Sequence, residues 1–351
     1  MPKLRRAVTD SLVALFAVPC MTACGGTPTP TSGWDLGDAV VVADNLPGGG
    51  LTSLASDGES LYFNMYNGPL SKTPLAGGSV SVSLGQPATF DDRYEIQFDG
   101  SGSIYWTNGL FGGGNPGRIV QTSLASQADE WTVSNLNGPA NLAIAAGSLY
   151  FFNSYPAHEI RRVSLDSKIQ QTVYTSGDTL TALTVAPNGD LYFGRWPNQG
   201  TRWFVSFLAS GQTTPVDLAY FDGKGIDHTR LLNDLLYVDS HALRQFDTAE
   251  IYSVNLSNHA VSDVASPGLY GTISTQPQPW GFSVDNDGMY WATSDYHIFA
   301  CYLDGSHVTL VAYGTNFLKQ GNSIYWYNND RVLRRMTLSH SQPGFVASAH
   351  P

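Results

Sequence analysis

The sequence predicts an all-β fold, a seven-bladed β-propeller built from four-stranded antiparallel blades. A turn, an aliphatic residue, a tyrosine and a large apolar residue recur seven times, with the tyrosines at Tyr62, Tyr105, Tyr150, Tyr192, Tyr237, Tyr290 and Tyr325. Their spacings of 43, 45, 42, 45, 53 and 35 residues fit the length of one blade. The composition, with 36 Gly, 18 Tyr and 16 Phe but only 13% charged residues, favours short strands and tight turns over long helices.

Each tyrosine is expected in the second strand of its blade. The strand before it ends in a turn such as Asp57-Gly58 or Asn188-Gly189, whose residues tolerate the positive φ of a tight hairpin. A third strand ending in leucine follows, as in 119–124, and a plainer fourth strand such as 79–84 completes the unit. The first and second strands are the more apolar, so we expect them to pack between neighbouring blades.

The two ends of the propeller are predicted to meet in one blade. Residues 39–45 contain the apolar run of a fourth strand but precede any first strand, whereas the last repeat has a third strand and only a weak tail. We therefore expect residues 39–45 to form the outer strand of the last blade by pairing near 332–338. Such closure protects the edges of a radial fold.

The N-terminus has the features of an export signal. A basic stretch with Lys3, Arg5 and Arg6 precedes an apolar run over 12–18 that is too short to span a bilayer. The segment Met21-Thr-Ala-Cys24 resembles the lipobox of bacterial lipoproteins, although Met21 stands where leucine is usual. The resemblance implies a signal peptide over 1–23 and lipid on Cys24; ordinary cleavage nearby is the alternative.

The lipobox resemblance also implies a division of the rest of the chain into a tether and a folded domain. Residues 24–36, rich in Gly, Pro and Thr, are predicted to be a flexible tether, and residues 37–351 the propeller domain. Gly25 after the cysteine, by analogy with enterobacterial lipoproteins, favours the outer membrane of a bacterial cell envelope. We expect a lipid-anchored monomer.

One repeat carries a more specific signature. Ile104-Tyr-Trp-Thr-Asn108, followed by Gly117-Arg-Ile119, resembles the YWTD-type propeller repeat, which is related in architecture to NHL propellers. The other copies are degenerate versions of it. The resemblance implies the fold, and it implies function only broadly, because such propellers bind peptides, sugars or proteins and a few are enzymes.

The loops between second and third strands are the candidate binding face. They vary most among the repeats, and binding residues concentrate in loops on a rigid scaffold. Their aromatic, polar and charged content is typical of a contact surface for a protein or glycan ligand. The candidate ligand-binding residues are Tyr66, Tyr155, His158, Arg195, Trp196, His241, Asp295 and Tyr296. The alternative is a set of packed, solvated loops without a ligand.

Composition and motifs restrict the chemistry. A net charge of −11 and the lack of a basic run beyond the N-terminus argue against nucleic acid. The histidines lack metal-ligand spacing, Cys301 lies in an apolar run, and no cofactor motif is present, so we expect neither a metal nor a cofactor.

A binding or scaffolding module is therefore the leading hypothesis. The alternative is a metal-dependent hydrolase or lyase of the lactonase-like propeller type. In such an enzyme Glu, Asn and Asp side chains from distant blades hold calcium at the channel mouth, and the candidates here are Glu95, Asn141, Asp227 and Asp285.

Overall fold

The structure is a computed structural model, and it describes a defined part of the chain. The described residues are 33–46, 50–65, 70–84, 95–108, 117–153, 158–197, 200–242, 245–265, 281–293, 296–328 and 330–340. The predicted signal peptide, Cys24 and most of the predicted tether lie outside these ranges. Within them, no helix is long and apolar enough to cross a membrane.

Seven antiparallel sheets form a seven-bladed β-propeller, as predicted. Blades 1 to 6 each take four strands in chain order from the inside outwards, whereas blade 7 takes its outer strands from the N-terminal part of the chain. Blade 1 consists of Leu51–Ser56, Ser60–Met65, Leu70–Pro74 and Ser81–Leu84. Blade 2 consists of Ile96–Phe98, Ser103–Asn108, Gly117–Ser123 and Asp129–Leu136. Blade 3 consists of Pro139–Ala145, Ser148–Asn153, His158–Ser164 and Gln170–Ser176. Blade 4 consists of Thr179–Val185, Leu191–Trp196, Arg202–Leu208 and Val216–Asp222. Blade 5 consists of Lys224–Leu232, Leu235–Ala242, Gln245–Asn255 and Val261–Ala265.

Blades 6 and 7 complete the ring. Blade 6 consists of Phe282–Val284, Met289–Ala292, His297–Cys301 and Thr309–Tyr313. Blade 7 consists of Thr315–Gln320, Ser323–Tyr327 and Leu333–His340, together with two N-terminal strands, Trp34–Leu36 and Val40–Ala43. From blade 7 through blades 1 to 6, the first strands of successive blades contact one another, and the second strand of blade 6 contacts the first strand of blade 7, so the first strands surround the central channel.

The seven repeated tyrosines are all buried in second strands, which confirms the sequence prediction. Each lies in the apolar cluster that its blade forms with the next blade; Tyr62 of blade 1, for example, packs with Ile104 and Trp106 of blade 2. The residue after the tyrosine points to the opposite face, as the two-residue period of a strand requires, so that Phe63 packs against blade 7. The repeated pair of large residues therefore fills two blade interfaces at once.

The N-terminal residues close the ring on blade 7. Val40 and Val41 pair with Arg335 and Arg334, which confirms the predicted closure by residues 39–45. The outer edge of blade 7 contains one more strand than predicted, because Trp34–Leu36 also pairs with its third strand, at Leu338–His340. These three residues belong to the stretch assigned to the tether from sequence, and Trp34 is buried against Tyr290 and Tyr302 of blade 6. A bond from Gly37 N to Thr337 O of 2.9 Å connects the two outer segments.

Candidate functional site

Four of the predicted ligand-binding side chains are described, and all four lie at the end of the ring where second strands end and third strands begin. They are His158 of blade 3, Arg195 and Trp196 of blade 4, and Tyr296 of blade 6. His158 is half-buried at the start of its strand, opposite Ser176. Tyr66, Tyr155, Asp295 and the side chain of His241 lie outside the described residues.

Arg195 is engaged by its own blade. Its Nη1 donates to Asp178 Oδ2 at 2.7 Å, and its Nη2 donates to both oxygens of Asp217 at 2.9 and 2.8 Å. Ser206 Oγ also donates to Asp217, at 2.7 Å, and the guanidinium lies 5.3 Å from the ring centre of Phe204. Burial lowers the pKa of Arg195, but hydrogen bonds and charge from the two aspartates outweigh it and raise the pKa overall. The described contacts make Arg195 a link between strands.

Trp196 is likewise held inside blade 4. Its ring stacks on that of Trp203, with centres 5.4 Å apart and planes inclined by 2°. The indole Nε1 donates to Gly200 O at 2.8 Å, across the connection to the third strand. These contacts give Trp196 the role of a core residue at the end of its strand.

Tyr296 differs, because its side chain is open to solvent. It is 51% exposed, and Tyr313 at the end of the fourth strand of the same blade is 61% exposed. A backbone hydrogen bond of 2.7 Å from Gly314 N to Tyr296 O brings the two tyrosines together, and the ring of His297 lies 4.9 Å from that of Tyr313. We call Tyr296, His297 and Tyr313 the blade 6 aromatic patch.

The backbone of Tyr296 is held in an unusual conformation. Its φ is +68°, in the left-handed region that bulky residues rarely occupy. Bonds of 3.1 Å from Tyr296 N to Thr293 O and 2.8 Å from Thr293 N to His297 O fix the turn. Strain of this kind often marks a functional position.

A second candidate site is the central channel, which contains a cavity of about 640 Å³. Its wall comes from the first strands of six blades. It combines apolar and polar side chains in similar numbers, among them Leu54, Phe98, Ile144, Phe317, Gln97, Asp99, Ser283, Arg230 and Lys319.

The first strands that line the channel carry recurrent bulges. Their pairing with the second strands shifts register in blades 1, 3, 4, 5 and 7. Asn141, Ala182 and Asn316 have positive φ at such points, with values of 56°, 55° and 40°. A bulge leaves a residue unpaired within its own sheet, so its polar groups become available to the neighbouring blade.

Hydrogen bonds between blades use these groups. The Oε2 of Glu95 in blade 2 accepts a bond of 2.6 Å from Leu142 N at the bulge of blade 3. Thr229 of blade 5 donates to Ala182 O at the bulge of blade 4 over 2.7 Å. Asn316 of blade 7 donates to Leu51 O of blade 1 over 2.6 Å. The channel wall is therefore joined from blade to blade by polar contacts.

Charged side chains of blade 5 lie beside this network. His228 Nδ1 lies 3.0 Å from Oδ2 of the buried Asp239. Arg230 lines the cavity and interacts electrostatically with Glu95. Burial raises the pKa of Glu95, opposed by hydrogen bonds from the amides of Asn141 and Leu142 and by the charges of His228 and Arg230.

Of the calcium-site candidates, the structure brings Glu95 and Asn141 together, but through a backbone contact of Asn141. Asp285 lies in the turn of blade 6, where its Oδ1 accepts bonds from the amides of Asp287 and Gly288 and its Oδ2 from Lys319. Within the described ranges, no three His, Cys, Asp or Glu side chains lie close enough to share a metal ion.

The sequence analysis missed His228 and Arg230 as site residues. The available signal was two basic residues, separated by Thr229, in a segment that should form the first strand of a blade. Such strands are otherwise mostly apolar or neutral in this chain. Variable loops are the usual place for binding residues, whereas the apolar pattern of inner strands predicts packing alone.

No protein-family model and no curated protein sequence matches this chain. Solved structures do resemble it. YCF48 bound to a D1 peptide has a TM-score of 0.58 at 12% identity, covering 87% of this chain and 95% of that chain. A catalytically inactive variant of virginiamycin B lyase from Staphylococcus aureus with quinupristin has a TM-score of 0.59 at 12% identity, covering 87% and 99%.

A third similar structure is the nidogen/laminin complex, with a TM-score of 0.53 at 14% identity, covering 81% of this chain and 99% of that chain. All three share little sequence with this chain. The similarity therefore supports the β-propeller architecture alone, and the number of seven blades comes from the sheets of this chain.

Proposed function

We propose that this protein is a binding propeller of the bacterial cell envelope, anchored by lipid on Cys24, which holds a partner protein through the blade 6 aromatic patch. The observation that carries the proposal is the pair of exposed tyrosines, Tyr296 and Tyr313, beside His297 at the predicted binding end of the ring. Tyrosine is enriched where proteins meet, because its ring offers large contact area with a polar tip.

The position of the patch favours a protein segment over a glycan. Tyr313 ends the fourth strand of blade 6, Thr309–Tyr313, which pairs with His297–Cys301 on its inner side. An outermost strand offers backbone groups to an added strand of a partner, while exposed Leu310 and Tyr313 offer side-chain contacts. Among proteins of similar architecture, YCF48 is bound to a peptide and nidogen is in complex with laminin.

Photo-crosslinking on intact cells tests the partner. A photoreactive phenylalanine analogue replaces Tyr313 in one variant and Tyr220 in a matched control, since Tyr220 is also on a fourth strand and 56% exposed. The proposal expects a discrete protein adduct from position 313 and a much weaker one from position 220. Equal adducts from both positions, or none from position 313, would contradict it.

The anchor has its own test. Cys24→Ser is expected to move the protein from the membrane fraction to the soluble fraction and to abolish incorporation of a labelled fatty acid. Cys20→Ser, four residues earlier, is the matched control and should change neither. If Cys24→Ser remains membrane-bound and labelled, the lipid anchor is wrong, whereas the partner-binding proposal is unaffected.

The lactonase-like alternative ranks second, because the carboxylates it needs are occupied. The Glu95 carboxylate accepts backbone amides of blade 3, and that of Asp285 holds its own turn and Lys319. Metal analysis of the purified protein distinguishes the two. One equivalent of a tightly bound divalent ion, lost in Glu95→Gln, would replace the binding proposal with the enzymatic one.

A further inference from the structure

The channel cavity contains a cation whose charge the described residues leave only partly balanced. Among these residues, Arg230 makes one hydrogen bond, from Nη1 to Thr229 O at 2.8 Å. Glu95 and Asp239 act on it electrostatically, but neither forms an ion pair with it. A guanidinium carries five N–H donors and stays protonated, so it has donors left for a ligand.

The other cation of the cavity is not available in the same way. Lys319 is 2% exposed, and its Nζ donates to Asp285 Oδ2 at 2.8 Å and to Gly321 O. It also lies 4.9 Å from the ring centre of Tyr290. Blade 6 therefore compensates the charge of Lys319, which leaves Arg230 as the cationic group of the described wall that faces the cavity without an ion pair.

The rest of the wall combines apolar and polar side chains. Leu54, Phe98 and Phe317 give it apolar surface, and Gln97 and Asp99 are among its polar residues. A volume of about 640 Å³ is within the range of small-molecule sites, roughly 300–1,000 Å³. A cavity of this kind can hold the apolar part of a ligand against its apolar side chains while a few polar groups fix the ligand's orientation.

We propose that the channel cavity binds an organic carboxylate, with both carboxylate oxygens on the Arg230 guanidinium and the apolar body against Leu54, Phe98 and Phe317. A guanidinium and a carboxylate match in geometry, since two parallel N–H donors meet two oxygens. The anion also offsets the cost of keeping a cation away from bulk water. This site is separate from the blade 6 aromatic patch and does not depend on it.

A free acid and the C-terminus of a peptide share this chemistry, so the test has two arms. Calorimetry compares 4-phenylbutyrate with 4-phenylbutyramide, and acetyl-Ala-Leu-Phe as the C-terminal acid with its amide, on the full chain. In at least one arm the acid is expected to bind at least tenfold more tightly than the amide, as a charge-assisted pair requires. The arm that shows this preference identifies the source of the carboxylate.

Variants test whether Arg230 is responsible. Arg230→Gln should weaken binding of the acid at least tenfold and abolish the difference between acid and amide, and Arg230→Lys should restore part of it. Arg162→Gln is the matched control on the outside of blade 3, where Arg162 donates to Gln171, and it should bind like the wild type.

Two results would overturn the proposal. One is equal binding of acid and amide to the wild type in both arms, or no binding of any of the four probes at millimolar concentration. The other is an acid preference that survives Arg230→Gln. The first comparison uses the unaltered protein, so it holds even if the variant does not fold.

Discussion

Glu95 of blade 2 accepts a hydrogen bond of 2.6 Å from the amide of Leu142 in blade 3, so a carboxylate of one blade satisfies the bulged backbone of the next. The channel wall thus depends on a side chain that burial would otherwise favour in its neutral form. The protonation of Glu95 is therefore coupled to stability.

The pH dependence of that coupling can be predicted. The folded-state pKa of Glu95 is raised above its ordinary 4.5, so its contribution to stability is complete below pH 4.5 and is lost as the pH rises through the raised value. Glu95→Gln is neutral throughout. The free energy of unfolding of the wild type minus that of Glu95→Gln should therefore fall from pH 4.5 upwards, as measured by denaturant titrations at several pH values. A constant or rising difference would contradict this.

Arg195 and Arg202 offer a matched comparison within blade 4, because each pairs with an aspartate of the fourth strand. Arg195→Ala removes a half-buried link between Asp178 and Asp217 and should cost about 2 kcal/mol of unfolding free energy. Arg202→Ala breaks an exposed pair with Asp222 and should change stability far less, since solvent screens such a pair. Urea titrations of both variants measure the difference, and equal costs would show that the Arg195 network is not structural.

Closure of the ring makes Trp34 a core residue despite its position before the main repeats. Trp34→Ala should lower the unfolding free energy by about 3–5 kcal/mol, because it empties a site beside Tyr290 and Tyr302. Val41→Ala, on the same outer edge but 59% exposed, should change it by less than about 0.5 kcal/mol. If Trp34→Ala unfolds like the wild type, the outer strand contributes little to the fold.

Strain at Tyr296 predicts a stability gain from substitution. Tyr296→Asn should raise the unfolding free energy by about 1 kcal/mol, since asparagine accepts the left-handed conformation more readily. The same change should weaken the crosslink expected from position 313. Tyr313→Asn, at an ordinary strand position, should give no such gain. A loss of stability in Tyr296→Asn would mean that contacts of the ring outweigh the backbone strain.

Burial raises the pKa of the Cys301 thiol to about 12, and the side chain is fully buried. At about pH 8 almost none of such a thiol is ionised to thiolate, so it is inert to alkylation. In a chain with Cys20→Ser and Cys24→Ser, Ellman's reagent should therefore label Cys301 only after unfolding in guanidinium. Rapid labelling of the native protein would contradict the buried environment described for blade 6.

The repeat made most of the fold predictable from sequence. Tyr62 and its counterparts mark one strand in every blade because each interface needs a large side chain at the same height. The sequence did not indicate the strand Trp34–Leu36, because three residues between Gly33 and Gly37 are too few to show a strand pattern, and their pairing partner is the distant segment Leu338–His340.

The channel was less predictable for a physical reason. Ala182 adopts a positive φ, which the residue type does not predict. The bulge at this position is stabilised by Thr229 of another blade, a contact that local sequence does not indicate. Arg195 and Trp196 were correctly placed at one end of the ring, but a sequence does not distinguish a polar loop residue that faces solvent from one that supports its own sheet. Their partners, Asp217 and Trp203, settle that question in the folded chain.

The pairing of Val40–Ala43 with Leu333–Arg335 has a consequence for how the molecule comes apart. A row of stacked sheets with free ends can lose its outermost member first and unravel stepwise. Here the earliest and latest described strands share one sheet, so every blade has two neighbours and none is terminal. We therefore expect limited proteolysis and amide hydrogen exchange to report one concerted opening of the whole ring, with no blade that unfolds before the others.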